Sequence, residues 1–337
     1  MNAVGYKDPL PIENPNSLLD IELPDPRPSA RDLLVEIKAV SVNPVDTKVR
    51  AHVKPEGGEY KILGYDAAGV VKAVGSDAKL FKTGDEVWYA GSIVRSGTNA
   101  QLHLVDERIV GPKPKTLDFA GAAALPLTTI TAWELLFDRL GVQIGKPPDA
   151  GTILIIGGSG GVGSILTQLA RRLTGLTIVS TASTPETRRR CLELGAHFVV
   201  DYSKALVPQL KRIGFPEVQY IACLTASDIY YPGIIEVLAP QGKIGIIDDP
   251  QMLDVTPLKP KAASLHWELM FVRSTFGTPD MIAQHNLLAE VSKLVDEGLI
   301  RTTFGRDLGP INAANLREAH RLVESGRGQG KLVLAGF

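Results

Sequence analysis

Seven consecutive residues, Gly157-Gly158-Ser159-Gly160-Gly161-Val162-Gly163, carry the clearest chemistry in the chain. Glycine lets a backbone turn tightly and approach a charged group, and the first N–H groups of a helix have no partner within it. Together they suit a pyrophosphate. The pattern G-x-G-x-x-G is weak by itself in a chain with 33 glycines, so its flanks decide its meaning. Ile153-Leu154-Ile155-Ile156 before it reads as a parallel strand buried on both faces. Val162, Ile165, Leu166, Leu169 and Leu173 after it recur at helical spacing. Strand, glycine turn and helix in that order predict a dinucleotide-binding turn that includes Ser159, Gly160, Gly161 and Val162. A tight strand–helix turn that binds nothing is the competing reading.

The end of the next strand selects among dinucleotides. An NAD site usually places an Asp or Glu about 20 residues past the glycines, on the ribose hydroxyls. Here the strand ends Thr181-Ala182-Ser183-Thr184, with no carboxylate at its tip. The hydroxyls of Ser183 and Thr184, with Arg188 close by, suit a 2′-phosphate, so the expected cofactor is NADPH. Arg189 and Arg190 read better as a solvated helix face, and Arg188 stands open between the two roles.

The elements that must position this turn follow from texture. Before about residue 125 the chain is strand-like and punctuated by Gly and Pro; 33–40, 69–75 and 85–90 are short strands, as in an antiparallel barrel or sandwich. Residues 131–140 form a helix closed by Gly141. Strands at 153–156, 177–181, 198–200, 218–222 and 243–247 then alternate with helical stretches, the rhythm of a doubly wound α/β sheet. A helix at 287–295, a strand at 300–303, a helix at 313–323 and a strand at 331–334 complete the chain.

With 36 basic and 37 acidic residues the 337-residue chain is nearly neutral, which argues against nucleic acid or an anionic membrane as partner. Cys191 and Cys223 do not make a disulfide framework or a thiolate cluster. The six histidines show no ligand spacing. The start of the chain lacks a basic region followed by an apolar core, and no apolar run approaches the roughly 18–20 residues that span a bilayer. A cytoplasmic protein is expected.

At this point the residues resemble a family. Gly64-Tyr65-Asp66-Ala67-Ala68-Gly69, Gly75 and Gly84-Asp85-Glu86-Val87 are similar to the medium-chain dehydrogenase/reductase pattern, which in zinc alcohol dehydrogenases reads G-H-E-x-x-G with a later G-D-x-V. Gly160–Gly163 with Gln168 and Arg171, Asn43-Pro44-Val45-Asp46-Thr47 and Asp201-Tyr202 resemble the quinone oxidoreductase (zeta-crystallin) branch. The stretches 135–141, 265–271 and 309–315 are similar to bacterial zinc-type alcohol dehydrogenase-like proteins. The resemblance implies a GroES-like, mainly-β catalytic domain at 1–126, a Rossmann domain at 127–275 and a return to the catalytic domain at 276–337.

The departures from that pattern decide the chemistry. Asn43 stands at the first zinc cysteine, Tyr65 at the histidine of G-H-E, and a residue near Leu127 at the second cysteine. A carboxamide, a phenol and an alkyl group do not replace those ligands, so no metal is expected. Without a Lewis acid, oxidation of a simple alcohol loses a large electrostatic contribution, whereas a quinone or enone spreads the incoming charge. The expected activity is therefore zinc-independent, NADPH-dependent reduction of small quinones or other α,β-unsaturated carbonyls. The alternatives are a metal-free alcohol or aldehyde oxidoreductase, or an NADPH-binding sensor or structural protein without turnover.

The resemblance places Asn43 and Thr131 near the nicotinamide. It sets Tyr202 with Ser183 and Thr184 about the phosphates and adenosine, and Leu224, Thr225, Ile247, Asp248 and Lys331 along the cofactor. Tyr65 is the candidate proton donor, or packs without proton chemistry, and Asp46 would orient Tyr65 or Asn43. Trp267, Phe271 and Phe276 form an apolar lid or plain core. Relatives pair their sheets edge to edge, which makes a homodimer the expected state.

Overall fold

Five consecutive apolar-facing residues, Thr152–Ile156, are all buried, and a strand buried on both faces must lie inside a sheet. The computed structural model, which describes residues 1–147, 149–326 and 330–337, places it there. Six parallel strands lie in the order Phe198–Val200, Thr177–Thr181, Thr152–Ile156, Val218–Cys223, Leu238–Ile246 and Ser264–Trp267. The chain runs outward one way from Thr152–Ile156 and then crosses to its other side. That reversal opens a crevice at the carboxyl ends of the two central strands, where Gly157 and Leu224 follow. Helices Gly161–Leu173, Pro185–Glu193, Leu206–Arg212 and Ser227–Val237 are the crossovers. One core cluster gathers Leu154, Ile156, Val179, Ile221, Ile234 and Ile244, each side chain worth about 1.5–3 kcal/mol buried against exposed. These strands belong to a compact unit spanning Thr131–Met270.

The second unit combines Met1–Ile130 with Phe271–Phe337. Its centre is the 11-residue strand Asp32–Val42, whose burial alternates and then becomes continuous over its last four residues. It pairs antiparallel with Ala67–Val74, with Leu102–Asp106 and with Lys331–Ala335. The last pairing matches Leu332 to Val42 and Ala335 to Ala39, so Lys331 and Asn43 stand side by side just past the ladder. This is the GroES-like sheet, and the parallel sheet is the Rossmann sheet, as the sequence implies.

Three expectations change. The strand expected at 300–303 is instead Phe304–Asp307, parallel to the last strand. Thr302 and Thr303 turn their hydroxyls onto the carbonyls of Gly121 (2.7 Å) and Ala124 (3.0 Å), and Thr303 O accepts from Lys331 N–H (2.9 Å) just ahead of the strand. The helix expected at 131–140 starts at Pro126 and ends as a wide π turn, Glu134–Arg139, before Gly141. Finally, the helical stretch Phe119–Arg139 is long and apolar enough to cross a membrane by length and composition, contrary to the sequence reading. Its apolar residues are interrupted by Pro126 and threonines, which hides it as a run. It is 83% buried inside the protein, as a core helix is.

Candidate functional site

In the Rossmann unit the strand Thr152–Ile156 ends at Gly157, whose φ of +85° suits glycine. Its N–H donates to Thr181 Oγ1 (3.0 Å), and Gly160 N–H donates back to Gly157 O (3.1 Å). A side chain on Gly163 would strike Gly157 O and lie 2.6 Å from Gly158 Cα, so the turn closes only with glycine there. The helix begins at Gly161, and its first internal bond runs from Ser164 N–H to Gly160 O (2.9 Å). The N–H groups of Gly161, Val162 and Gly163 precede that bond, and the first turn carries no acid. This is a cradle for a phosphate anion on the end of a 13-residue helix.

The other Rossmann residues singled out in the sequence gather at the same carboxyl edge. Ser183 is exposed and donates to Tyr202 Oη (2.8 Å). Thr184 caps the helix Pro185–Glu193 by accepting from Thr187 N–H (3.2 Å). Arg188 is exposed, whereas Arg189 pairs with Glu193 (3.5 Å). Leu224 N–H continues the ladder to Ile156 O (3.1 Å), and Thr225 is exposed next to Gly157. Ile247 N–H bonds Cys223 O (3.3 Å), and Asp248 accepts from Ser227 N–H (2.9 Å) and from the Ser227 hydroxyl. Asp248 is thus a cap for the helix Ser227–Val237. Thr131 is buried in the helix Pro126–Trp133.

The GroES-like unit brings together a different group. Asp66 is fully buried. Its Oδ2 accepts from Ser41 Oγ (2.7 Å), Asn43 Nδ2 (2.8 Å) and Lys331 Nζ (3.0 Å), and its Oδ1 accepts from Leu127 N–H (2.7 Å). Lys331 Nζ also donates to Asn43 Oδ1 and to Val42 O (3.2 Å). Asp46 accepts from Asn43 N–H (2.8 Å) and Gly64 N–H (3.0 Å). Burial pushes its carboxyl up to about 7, against the pull of those N–H groups and of Lys331. Asp46 is thus tied to the Asn43 backbone and not to the Tyr65 hydroxyl. Tyr65 is fully buried, its hydroxyl has no hydrogen-bond partner among the described residues, and its ring meets Phe271 edge-on at 5.3 Å. Burial, the Asp46 charge and Tyr6 raise its pKa well above the ordinary phenol value. Phe271 is core, while Trp267 and Phe276 are exposed.

Two comparisons of sequence regions agree with both sheets. Residues 29–122 match the alcohol dehydrogenase GroES-like domain, and residues 194–334 match the zinc-binding dehydrogenase family. A zinc-type alcohol dehydrogenase-like protein of Staphylococcus aureus (strain MSSA476) is 40% identical over 336 residues, 99% of each chain. The chain belongs to the medium-chain dehydrogenase/reductase superfamily. A structure from Rhizobium etli CFN 42, proposed to be a zinc-dependent alcohol dehydrogenase, is 57% identical with a TM-score of 0.96, covering 100% of this chain and 98% of that one. Escherichia coli quinone oxidoreductase, solved with NADPH, is 25% identical with a TM-score of 0.83, covering 99% and 100%. As a medium-chain dehydrogenase/reductase the chain is an oxidoreductase, and its Rossmann sheet binds a nicotinamide cofactor.

Sequence reasoning passed over Ser41 and Asp66. The signal for Asp66 was present, since it stands at the acid of G-H-E. Ser41 gave none, because a serine at the end of a strand is unremarkable until its partner is known. Among the described residues, no three His, Cys, Asp or Glu side chains cluster closely enough to hold a metal ion.

Proposed function

We propose that this chain is an NADPH-dependent reductase of quinones or other α,β-unsaturated carbonyls that works without zinc. The donor set in the GroES-like unit carries the reading. Asn43, Tyr65 and the Leu127 region stand where the resemblance puts zinc ligands, and they offer a carboxamide, a buried phenol and a backbone N–H. Both ends of the Asn43 carboxamide are already spent on Lys331 and Asp66. Such groups do not supply the thiolate and imidazole that a catalytic zinc takes.

A bound NADPH supplies hydride, which a conjugated carbonyl accepts with its charge delocalised. The chain's own residues bind and orient. The N–H groups of Gly161 and Val162, on the turn Ser159-Gly160, hold the pyrophosphate, and Ser183, Thr184, Arg188 and Tyr202 take the 2′-phosphate side. Leu224, Thr225, Ile247 and Asp248 border the cofactor, with Asn43 and Thr131 assigned to its nicotinamide end. Tyr65 would give the proton, with Asp46 holding the loop that carries Asn43. The chain would act as a cytoplasmic homodimer.

The test follows NADPH oxidation with a panel of quinones, enones and aldehydes, and NADP+ reduction with alcohols, before and after a zinc chelator. Turnover confined to the conjugated carbonyls and unaffected by chelation supports the reading. Alcohol oxidation that depends on zinc overturns it, and NADPH binding with no turnover points to a sensor.

A further inference from the structure

We propose that Lys331 is a positioning residue: its ammonium clamps the Asn43 carboxamide in one orientation and is the internal counter-cation of Asp46 and Asp66. The proposal rests on the reading above, in which Asn43 lies at the reacting end of the cofactor. An ammonium has three N–H donors, and those of Lys331 meet Val42 O, Asn43 Oδ1 and Asp66 Oδ2. None is left for a cofactor phosphate or a substrate, so the role is internal, in contrast to the cofactor contact the resemblance implies.

The clamp also fixes chemistry that a lone asparagine leaves free. The two ends of a carboxamide are alike in shape, and only the hydrogen-bond partners say which is oxygen and which is nitrogen. Here a group that can only donate, Lys331, faces one end, and a carboxylate, Asp66, faces the other at 2.8 Å. Oδ1 must therefore face Lys331 and Nδ2 must face Asp66. The backbone N–H of the same residue is tied to Asp46 at 2.8 Å. One N–H of the carboxamide is left over, in a fixed direction.

Charge supports the same conclusion. Asp46 and Asp66 are both buried, and the Asp66 carboxylate disfavours ionisation of Asp46. Lys331, buried as well, opposes that repulsion. Removing its charge leaves the two acids facing each other, and breaking a buried pair in that way unsettles everything it held.

The experiment compares wild type with Lys331→Met, Asn43→Ala and the double variant, using the acceptor the wild type reduces fastest. Lys331→Met is expected to lower kcat at least tenfold with NADPH affinity by tryptophan fluorescence unchanged within twofold, and to move the acid limb of the pH–rate profile to higher pH. Asn43→Ala should lose a similar factor, and the double variant should be no worse than the poorer single. Should Lys331→Met fold poorly, Lys331→Met/Asp66→Asn removes both charges and is expected to keep the loss of kcat. Weaker NADPH binding with kcat intact would make Lys331 a cofactor contact. A lower Tm with kcat, KM and pH profile unchanged would make it scaffold only, and either result overturns the proposal. A wild type that turns over nothing defeats the functional reading alone. The clamp is then decided by the side-chain amide resonances of Asn43, which should be protected from exchange in wild type and unprotected in Lys331→Met; equal protection overturns it.

Discussion

Gly158 faces Ser180 so closely that a Cβ on Gly158 would overlap the Ser180 Oγ and lie 3.1 Å from its Cβ. The first glycine of the fingerprint is therefore set by the neighbouring strand as much as by any ligand. Gly158→Ala should weaken NADPH binding at least tenfold, measured by fluorescence titration. Adding Ser180→Ala should recover part of that loss, because a contact of 3.1 Å yields to a small shift. A double variant as poor as the single would move the cause to the ligand side.

Arg188 tests the choice of cofactor. It is exposed beside the capping residue Thr184, free of the ion pair that engages Arg189. Arg188→Ala should weaken NADPH binding about tenfold, or about 1.4 kcal/mol, and leave NADH binding unchanged. Equal losses for both nucleotides would remove the 2′-phosphate contact.

Asp46 should make the fold less stable as pH rises. Its carboxyl is near 3.9 unfolded and is pushed up to about 7 folded, so the folded state keeps a proton that the unfolded state has lost between those values. Stability then falls from about pH 4 to about pH 7, by an amount on the order of 4 kcal/mol for this group. Asp46→Asn should show a flatter change in urea-unfolding free energy between pH 4.5 and 7.5 than wild type. Parallel profiles would count against a buried, protonated Asp46.

His320 acts in the opposite sense. It is fully buried on the helix Ala313–Glu324, with neither ring nitrogen hydrogen-bonded among the described residues. Burial first, and the nearby Arg50 second, hold it down to about 3. Its contribution is complete above about pH 6.5 and is lost as pH falls toward 3. His320→Leu should therefore lose less stability than wild type between pH 7 and pH 4, read by denaturant unfolding at each pH.

Tyr65→Phe separates packing from chemistry. The hydroxyl is buried without a partner, so its removal should leave the fold as stable or raise its stability by up to about 1 kcal/mol. The proposed donor role adds that kcat falls while NADPH affinity holds. An unaltered rate with several acceptors takes Tyr65 out of the mechanism.

The parts legible in the sequence were those whose signal is local. Ile153–Ile156, the glycine turn and the helix after it sit within 21 residues, and each announces the next. The Asp66 cluster was not legible because its partners come from 41, 43, 66, 127 and 331, and a pairing between Val42 and Leu332 fixes their meeting. Thr302 and Thr303 looked like strand because they are β-formers, yet the strand starts one residue later, and their hydroxyls bond Gly121 and Ala124, far off in the sequence. The π turn at Glu134–Arg139 leaves the apolar spacing almost helical, so periodicity reads through it.

The antiparallel match of Lys331–Ala335 to Asp32–Val42 has a consequence for birth on the ribosome. The stretch Thr131–Met270 is continuous and can complete its own sheet as it emerges. The strand synthesised among the first forty or so residues meets two of its partners early but waits some three hundred residues for the third, and until then Asp66 is without its cation. The interior of the GroES-like half is therefore complete only once its last strand, with Lys331 at the head, has been made.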